Sequence, residues 1–160
     1  LIVKYFLSNL KIKSLYFLRL KLQILRTTNL QVVLPNLELL ELWGVAVDEI
    51  WAIEAEKTNC WFQHLTILKV DRCHNLSYLF TSSMVKSFAQ LKTLEVRGCD
   101  SIEEIVATKG EMTEDDDMLP FPALDTLELC DLPKLKRLCH ANLLECQSLQ
   151  KLVMRVCYSP

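Results

Sequence analysis

The sequence has few glycines, no long apolar run near its start and no closely spaced cysteine pair, and each absence excludes a class of protein. The three glycines among 160 residues are isolated, so no glycine-rich loop is available to bind a phosphate group. The apolar runs at the start, residues 1–3 and 5–7, are three residues long, too short for a signal peptide or a membrane span. We therefore expect neither a membrane contact nor a cofactor. Because the chain does not begin with methionine, we expect it to be a piece of a longer protein.

The seven cysteines are an odd number, and no two of them form a CxxC pair. Disulfide frameworks and zinc sites normally use paired or closely spaced cysteines, so the pattern predicts buried free thiols in a reducing compartment, the cytoplasm. Cys73 is adjacent to His74, and Cys139 to His140, but adjacent side chains on a strand or turn point in different directions. We therefore expect no metal site.

The formal net charge of −2 gives no bulk electrostatic reason to bind nucleic acid. The charge is uneven, however, because residues 1–30 hold six basic residues and no acidic one. This segment is either a basic arm for a membrane or nucleic acid, or a degenerate repeat at the edge of a larger array. We prefer a degenerate or truncated repeat over residues 1–33, with a strand over residues 18–24, where apolar and polar residues alternate.

One spacing of apolar residues recurs five times in the rest of the chain. Counted from the first residue of each repeat, apolar residues or cysteines fall at positions +3, +6, +8, +11, +14 and +17. Three copies follow the whole template and start at Phe62, Phe88 and Phe121, and two incomplete copies start at Leu34 and Cys146. Starts 25 to 33 residues apart are typical of leucine-rich repeats, so residues 34–160 are predicted to form one stacked array.

Each repeat is predicted to contribute one strand, because apolar and polar residues alternate from +5 to +9. In the repeat from Phe88, Leu94 and Val96 point inward and Glu95 points outward. A single repeat cannot bury its own apolar edge, so its stability must come from stacked neighbours. The predicted fold is an α/β right-handed solenoid, with a parallel β-sheet on its concave face and short helices or loops on its convex face. Both ends lack a capping repeat, so we expect the isolated chain to be poorly soluble.

Position +11 follows the strand into a turn. A small side chain with a weak donor suits this place, where it can meet backbone carbonyls that the turn leaves unpaired. Cys73, Cys99 and Cys157 hold this position. In the fourth repeat Leu132 is followed by Pro133, which predicts a different turn.

Two segments between the predicted strands differ from the rest, one as a short helix and one as an acidic insert. A short helix is predicted after Thr81, with Met84, Val85 and Phe88 facing inward. Residues 108–118 form an acidic insert that accounts for the widest spacing between repeats. Its carboxylates lack the ligand order and the glycine of a calcium loop, so a solvated insert is predicted in preference to a cation site.

The outward row of the strands is the candidate binding surface. An exposed tryptophan beside mixed charges is the usual composition of a protein-binding hot spot, and an ordinary solvated face is the alternative. The candidate partner-binding residues of the concave face are Glu41, Trp43, Lys69, Asp71, Glu95, Arg97, Glu128 and Arg155.

Three segments carry a family resemblance. These are FQHLTILKVDRCHNLSYLFTSSMVKS (62–87), LKTLEVRGCDSIEEIV (91–106) and LELCDLPKLKRL (127–138). They resemble the leucine-rich repeat region of plant nucleotide-binding leucine-rich repeat (NB-LRR) disease-resistance proteins. The resemblance covers about residues 34–157 and implies the recognition and autoinhibition half of an intracellular immune receptor. It implies a protein partner: a pathogen effector, a guarded host protein or the receptor's own nucleotide-binding domain. The chain has no phosphate loop, so nucleotide exchange and signalling do not carry over.

Two functions are therefore compared. The first is a protein-interaction module of a plant immune receptor, and the second is a substrate-recruiting module of an F-box-type ubiquitin ligase, which also uses cysteine-containing repeats. A phosphate loop upstream in the full gene would favour the first, and an F-box helix bundle the second. Catalysis is not expected, because the cysteines recur with the structural period.

Overall fold

The structure is a computed structural model and describes residues 14–18, 37–45, 50, 63–107, 121–138 and 148–155. Two parallel sheets organise these residues. The larger has six strands, which in spatial order are β1 (Ser14–Leu18), β2 (Leu39–Trp43), β3 (Ile67–Asp71), β5 (Thr93–Arg97), β7 (Thr126–Cys130) and β8 (Lys151–Arg155). The smaller pairs β4 (Tyr78–Thr81) with β6 (Glu104–Ala107). The strands β2, β3, β5, β7 and β8 run from +5 to +9 of their repeats, as the alternation predicted.

Neighbouring strands of the large sheet pair at the same position of the repeat. Leu40 pairs with Leu68, Leu68 with Leu94, and Leu94 with Leu127, all at +6. The register continues through β8, where Leu152 pairs with Leu127. The repeat predicted from leucine spacing is therefore also the unit of strand pairing.

The first strand extends this pattern into the N-terminal segment. Leu15 of β1 pairs with Leu40, and Phe17 pairs with Leu42, which places them at +6 and +8 of a further repeat. Counting back puts the start of that repeat at Asn9, with Ile12 at +3. Of the strand predicted over residues 18–24, Leu18 ends β1 and the remaining residues lie outside the described part of the chain.

The core lies between the two sheets and follows the template. Positions +3, +6, +8 and +11 are buried in all four repeats from Leu34 to Phe121. Three aromatic rings add to this core, with the Phe80 centroid 4.9 Å from that of Phe88 and 5.0 Å from that of Phe121. Such tilted and edge-on contacts are favourable for aromatic pairs.

After β2, β3, β5 and β7 the chain turns at position +10 with a positive φ. The angles are +61° at Gly44, 52° at Arg72, +59° at Gly98 and 54° at Asp131. Each of these residues donates its N–H to the +9 carbonyl of the next repeat, at 2.9 to 3.0 Å. The left-handed conformation suits glycine and strains the two side-chain-bearing residues.

The backbone of the turn in the fourth repeat has the same hydrogen bond as that in the repeat from Phe62, so the prediction of a different turn there is wrong for the backbone. The N–H of Leu135 donates to the carbonyl of Leu132 at 3.2 Å, as the N–H of Leu76 donates to that of Cys73 at 3.4 Å. Pro133 follows the acceptor residue, so its missing N–H removes no bond of this turn.

The two described +11 cysteines are fully buried, as predicted. The Cys73 thiol donates to the Asp71 carbonyl at 3.5 Å, and the Cys99 thiol donates to the Arg97 carbonyl at 3.3 Å. These carbonyls also accept backbone N–H groups from the preceding repeat, so the expectation that the turn leaves them unpaired is wrong. A hydrogen bond with the Cys73 thiol and burial both raise the pKa of Cys99, which keeps that thiol protonated. Cys157 lies outside the described residues.

The predicted short helix is present. It consists of α1 (Ser82–Val85) followed by one 3₁₀ turn (Lys86–Phe88). Val85 and Phe88 are buried and Met84 is partly buried against the core. No helix in the described ranges has the length and apolar content needed to cross a bilayer. The acidic insert over residues 108–118 lies outside those ranges.

Candidate functional site

One side of the large sheet packs on the core, and the other presents the side chains at +5, +7 and +9. We call this second side the open face, and define it by five sets of residues. From β2 to β8 they are Leu39, Glu41 and Trp43; Ile67, Lys69 and Asp71; Thr93, Glu95 and Arg97; Thr126, Glu128 and Cys130; and Lys151, Val153 and Arg155. All eight candidate residues lie on it. Five strands spaced about 4.8 Å apart give a surface roughly 20 Å wide.

A network of ion pairs occupies the middle of the open face. Lys69 lies 3.1 Å from Glu95, and Arg97 bridges Glu95 at 3.6 Å and Glu128 at 2.7 Å. Lys151 also pairs with Glu128. Because the strands are in register, acids and bases at +5, +7 and +9 of successive repeats come within reach of one another. The network therefore runs across four strands.

Glu128 is the carboxylate of this network that accepts hydrogen bonds from two basic side chains. Hydrogen bonds from Lys151 and Arg97 lower its pKa, and the bond to Glu128 raises the pKa of Arg97. The Glu128 side chain is only 13% exposed, whereas that of Arg97 is 49% exposed. Exposed ion pairs stabilise a fold only weakly, so the main effect of this network is to hold the side chains in fixed positions.

The β2 end of the open face differs from the ion-paired centre because it holds an exposed aromatic ring. Trp43 is 46% exposed, and the Arg72 guanidinium lies 5.9 Å from its ring centroid. Arg72 also pairs with Asp71 at 3.7 Å. Glu41 lies on the same strand as Trp43 and, among the described residues, makes no ion pair. An aromatic ring and an unpaired carboxylate thus lie side by side.

The β8 end has a free basic group. Arg155 is exposed and, within the described part of the chain, forms no ion pair. Cys130 lies between Arg97 and Arg155 in the strand register and is half-buried with a free thiol. The predicted residues are therefore on one surface, but they form a paired centre flanked by two unpaired ends.

Sequence reasoning missed the contacts outside the open face. Arg72 was not a candidate, because its position +10 falls in the turn and carries no fixed residue type. At positions +15 and +16, Glu103 pairs with Lys136 at 2.7 Å and Glu104 pairs with Arg137 at 2.7 Å. The bond from Lys136 lowers the pKa of Glu103. These two ion pairs could have been predicted from the sequence, because each joins opposite charges at the same position of adjacent repeats.

His74 and Asp100 form another pair of this kind, both at +12, with Nδ1 and Oδ2 2.8 Å apart. Within the described residues, no group of three or more histidine, cysteine or acidic side chains is placed to hold a metal ion. The thiols of Cys73 and Cys99 are buried and donate to backbone carbonyls.

A family model described as plant disease resistance protein RPS2-like, leucine-rich repeats, matches residues 35–159. The chain belongs to this family. The match covers five of the six in-register strands of the large parallel sheet, from β2 to β8. Comparisons with curated proteins and with solved structures return no significant match. Leucine-rich repeats of resistance proteins are recognition modules, so the family favours protein interaction in plant defence over recruitment to a ubiquitin ligase.

Proposed function

We propose that this leucine-rich repeat protein is the recognition module of an intracellular plant immune receptor and acts in the cytoplasm. Its partner is a pathogen effector, a guarded host protein or the nucleotide-binding domain of the same receptor. Contact with the last would hold the receptor inactive. The proposal includes no catalytic step and no cofactor.

One observation carries the proposal beyond the family match. Five strands in exact repeat register present fifteen side chains on one face, and these include a half-exposed tryptophan. Aromatic residues and arginine are enriched at the centres of protein interfaces, where they account for much of the binding energy. Trp43 and Arg97 are the two such residues that we expect to contribute most.

The proposed architecture is a right-handed solenoid whose concave wall is the open face. The second sheet supports this arrangement, because β4 and β6 join the same repeats on the other side of the core. The bridge between Glu104 and Arg137 extends that side to the next repeat. In the repeats from Phe62 and Phe88, a strand on one side and a shorter strand on the other support the proposal of one turn of chain per repeat.

The test is capture of a partner by the full chain from extracts of healthy and infected plant tissue. Four alanines at Trp43, Lys69, Glu95 and Arg97 should abolish a specific capture. Two alanines at Lys136 and Arg137, which lie away from the open face, provide the matched control and should leave capture intact. Circular dichroism of both variants should match that of the wild type.

Two outcomes would contradict the proposal. Capture that survives the four alanines would remove the open face from recognition. Capture of an F-box-associated scaffold in place of an effector, guarded protein or nucleotide-binding domain would favour the ubiquitin-ligase alternative.

A further inference from the structure

We propose that the β2–β3 end of the open face binds a protein segment that presents a lysine or arginine next to an apolar side chain. The basic group would contact Glu41 and Trp43, and the apolar group would lie against Leu39 and Ile67. This inference rests on the proposed function and names the chemistry of the partner at that surface.

The first argument is the charge balance of the open face. Of its four carboxylates, three have cations within the chain: Asp71 pairs with Arg72, Glu95 with Lys69, and Glu128 with Arg97 and Lys151. Glu41 is the exception, and no described side chain neutralises it. A partner cation placed at Glu41 therefore displaces no existing ion pair. At the other carboxylates it would have to compete with a bound cation.

The second argument is the ring beside that carboxylate. Trp43 lies two residues after Glu41 on β2, so the two side chains point to the same face, about 7 Å apart along the strand. Arg72 already lies over the ring at 5.9 Å, which shows that the surroundings of this ring accommodate a guanidinium. With 46% of the residue still exposed, a second cation has ring surface to contact.

The third argument is an apolar pair confined to this end. Leu39 and Ile67 are register neighbours at +5, and both are partly exposed. The same position holds Thr93, Thr126 and Lys151 in the following repeats. At position +5 of the described strands, an apolar side chain of a partner therefore finds matching surface only at this end.

At the β8 end the unpaired Arg155 would repel a basic partner, and the centre of the open face is less suited to a charged one. Its acids and bases neutralise one another, and Glu128 is held by two cations. A partner charge there would have to break these pairs and leave one member without compensation. Binding energy is therefore expected to concentrate at the end where the chain leaves a carboxylate and a ring unsatisfied.

The experiment selects binders from a phage-displayed library of random 12-residue peptides, with the full chain as bait. The expected consensus is a lysine or arginine within two residues of leucine, isoleucine or phenylalanine. The dissociation constant of the best peptide is then measured by fluorescence anisotropy. Glu41→Gln and Trp43→Ala should each weaken binding by about tenfold or more. Glu103→Gln, the same chemical change away from the open face, should alter binding less than about twofold.

A charge exchange separates direct contact from a structural effect. Glu41→Lys should abolish binding of the selected peptide, and changing the basic residue of that peptide to glutamate should restore binding to the variant. Circular dichroism confirms that each variant is folded.

Several results would overturn the inference. An acidic or wholly apolar consensus, failure of any peptide to be enriched, or failure of the charge exchange would each do so. Peptide binding that is weakened by Glu128→Gln and not by Glu41→Gln would overturn this inference only. Recognition by the open face would remain supported. Binding indifferent to every open-face substitution would overturn both proposals.

Discussion

The repeats starting at Phe62 and Phe88 and the repeat starting at Cys146 share one pattern but differ in burial. Leu68 and Leu94 at position +6 are 0% and 1% exposed. Leu152 at the same position of the last repeat is 52% exposed, as is Met154 at +8. All three repeats have the same strand bounds and the same register. The burial of an inward leucine therefore depends on the repeats that lie on either side of it and not on its own repeat alone.

The reason is that β8 is the last strand in the order of the large sheet and pairs with β7 alone. An inward side chain of an interior repeat is covered by a repeat on each side, whereas Leu152 is covered on one side only. This is the behaviour expected of a quasi-one-dimensional array, whose stability is a sum of repeat and interface terms.

The largest expected effect is the difference between two leucine-to-alanine changes at position +6. Leu68→Ala should lower the free energy of unfolding by about 3 kcal/mol, because it leaves a cavity among fully buried neighbours. Leu152→Ala should lower it by less than about 1 kcal/mol, because that side chain is half exposed. Urea unfolding of the two variants measures the difference. Equal losses would mean that Leu152 is covered in solution.

A second comparison concerns position +10 in the interior repeats. Gly98 has a positive φ, and a Cβ there would lie 3.3 Å from the Cγ of Arg72, so Gly98→Ala should cost about 1–2 kcal/mol. Asp131 has the same backbone conformation, and Asp131→Gly should be stabilising by up to about 1 kcal/mol. Thermal unfolding of both variants provides the test. Destabilisation by Asp131→Gly would show that its side chain outweighs the backbone strain.

The exposed edge of the last repeat should also control self-association. Replacing Leu152 and Met154 by lysine should raise the concentration at which the chain remains monomeric by roughly tenfold, because it removes an apolar edge beside an unpaired strand. Analytical ultracentrifugation over a concentration series measures this. A wild-type chain that stays monomeric at high concentration would contradict both this expectation and the poor solubility predicted from the sequence.

The smallest effect is the pH dependence that comes from Glu128. Its pKa is lower in the folded chain than its ordinary value, because Lys151 and Arg97 donate to the carboxylate. The stabilisation is therefore present above the ordinary pKa and is lost as the pH falls through the lowered value. Glu128→Gln should lower the melting temperature at neutral pH, and the difference from wild type should shrink below about pH 4.

Salt provides the control for this last prediction. The same pH series in about 1 M NaCl should reduce the difference throughout, since exposed ion pairs are screened at that ionic strength. A difference that is independent of both pH and salt would mean that Glu128 contributes through packing.

Much of the fold could be predicted because inward and outward positions alternate with a fixed period. The bounds of β2, β3, β5, β7 and β8 follow from the alternation, and the burial of Cys73 and Cys99 follows from their place in the period. The strand β1 was not predicted, although Ile12, Leu15 and Phe17 fit positions +3, +6 and +8. Its signal was obscured because the second half of that repeat departs from the template.

The candidate site was predictable as a surface but not as a set of contacts. The strand period places Glu41 and Glu128 on the same face, yet it gives no indication that one is unpaired and the other is held by two cations. Such differences depend on which side chains are present in the adjacent repeats and on their rotamers. For the same reason, the interaction of Arg72 with Trp43 could not be anticipated from a turn position.

The one-to-one register of the strands has a consequence for how such a surface can change. Each outward side chain touches mainly its counterparts in the adjoining repeats, while the leucines beneath it belong to a separate layer. A substitution on the outside can therefore alter what is recognised without disturbing the packing below. Gaining or losing a whole unit would lengthen or shorten the surface and leave the alignment of the rest unchanged.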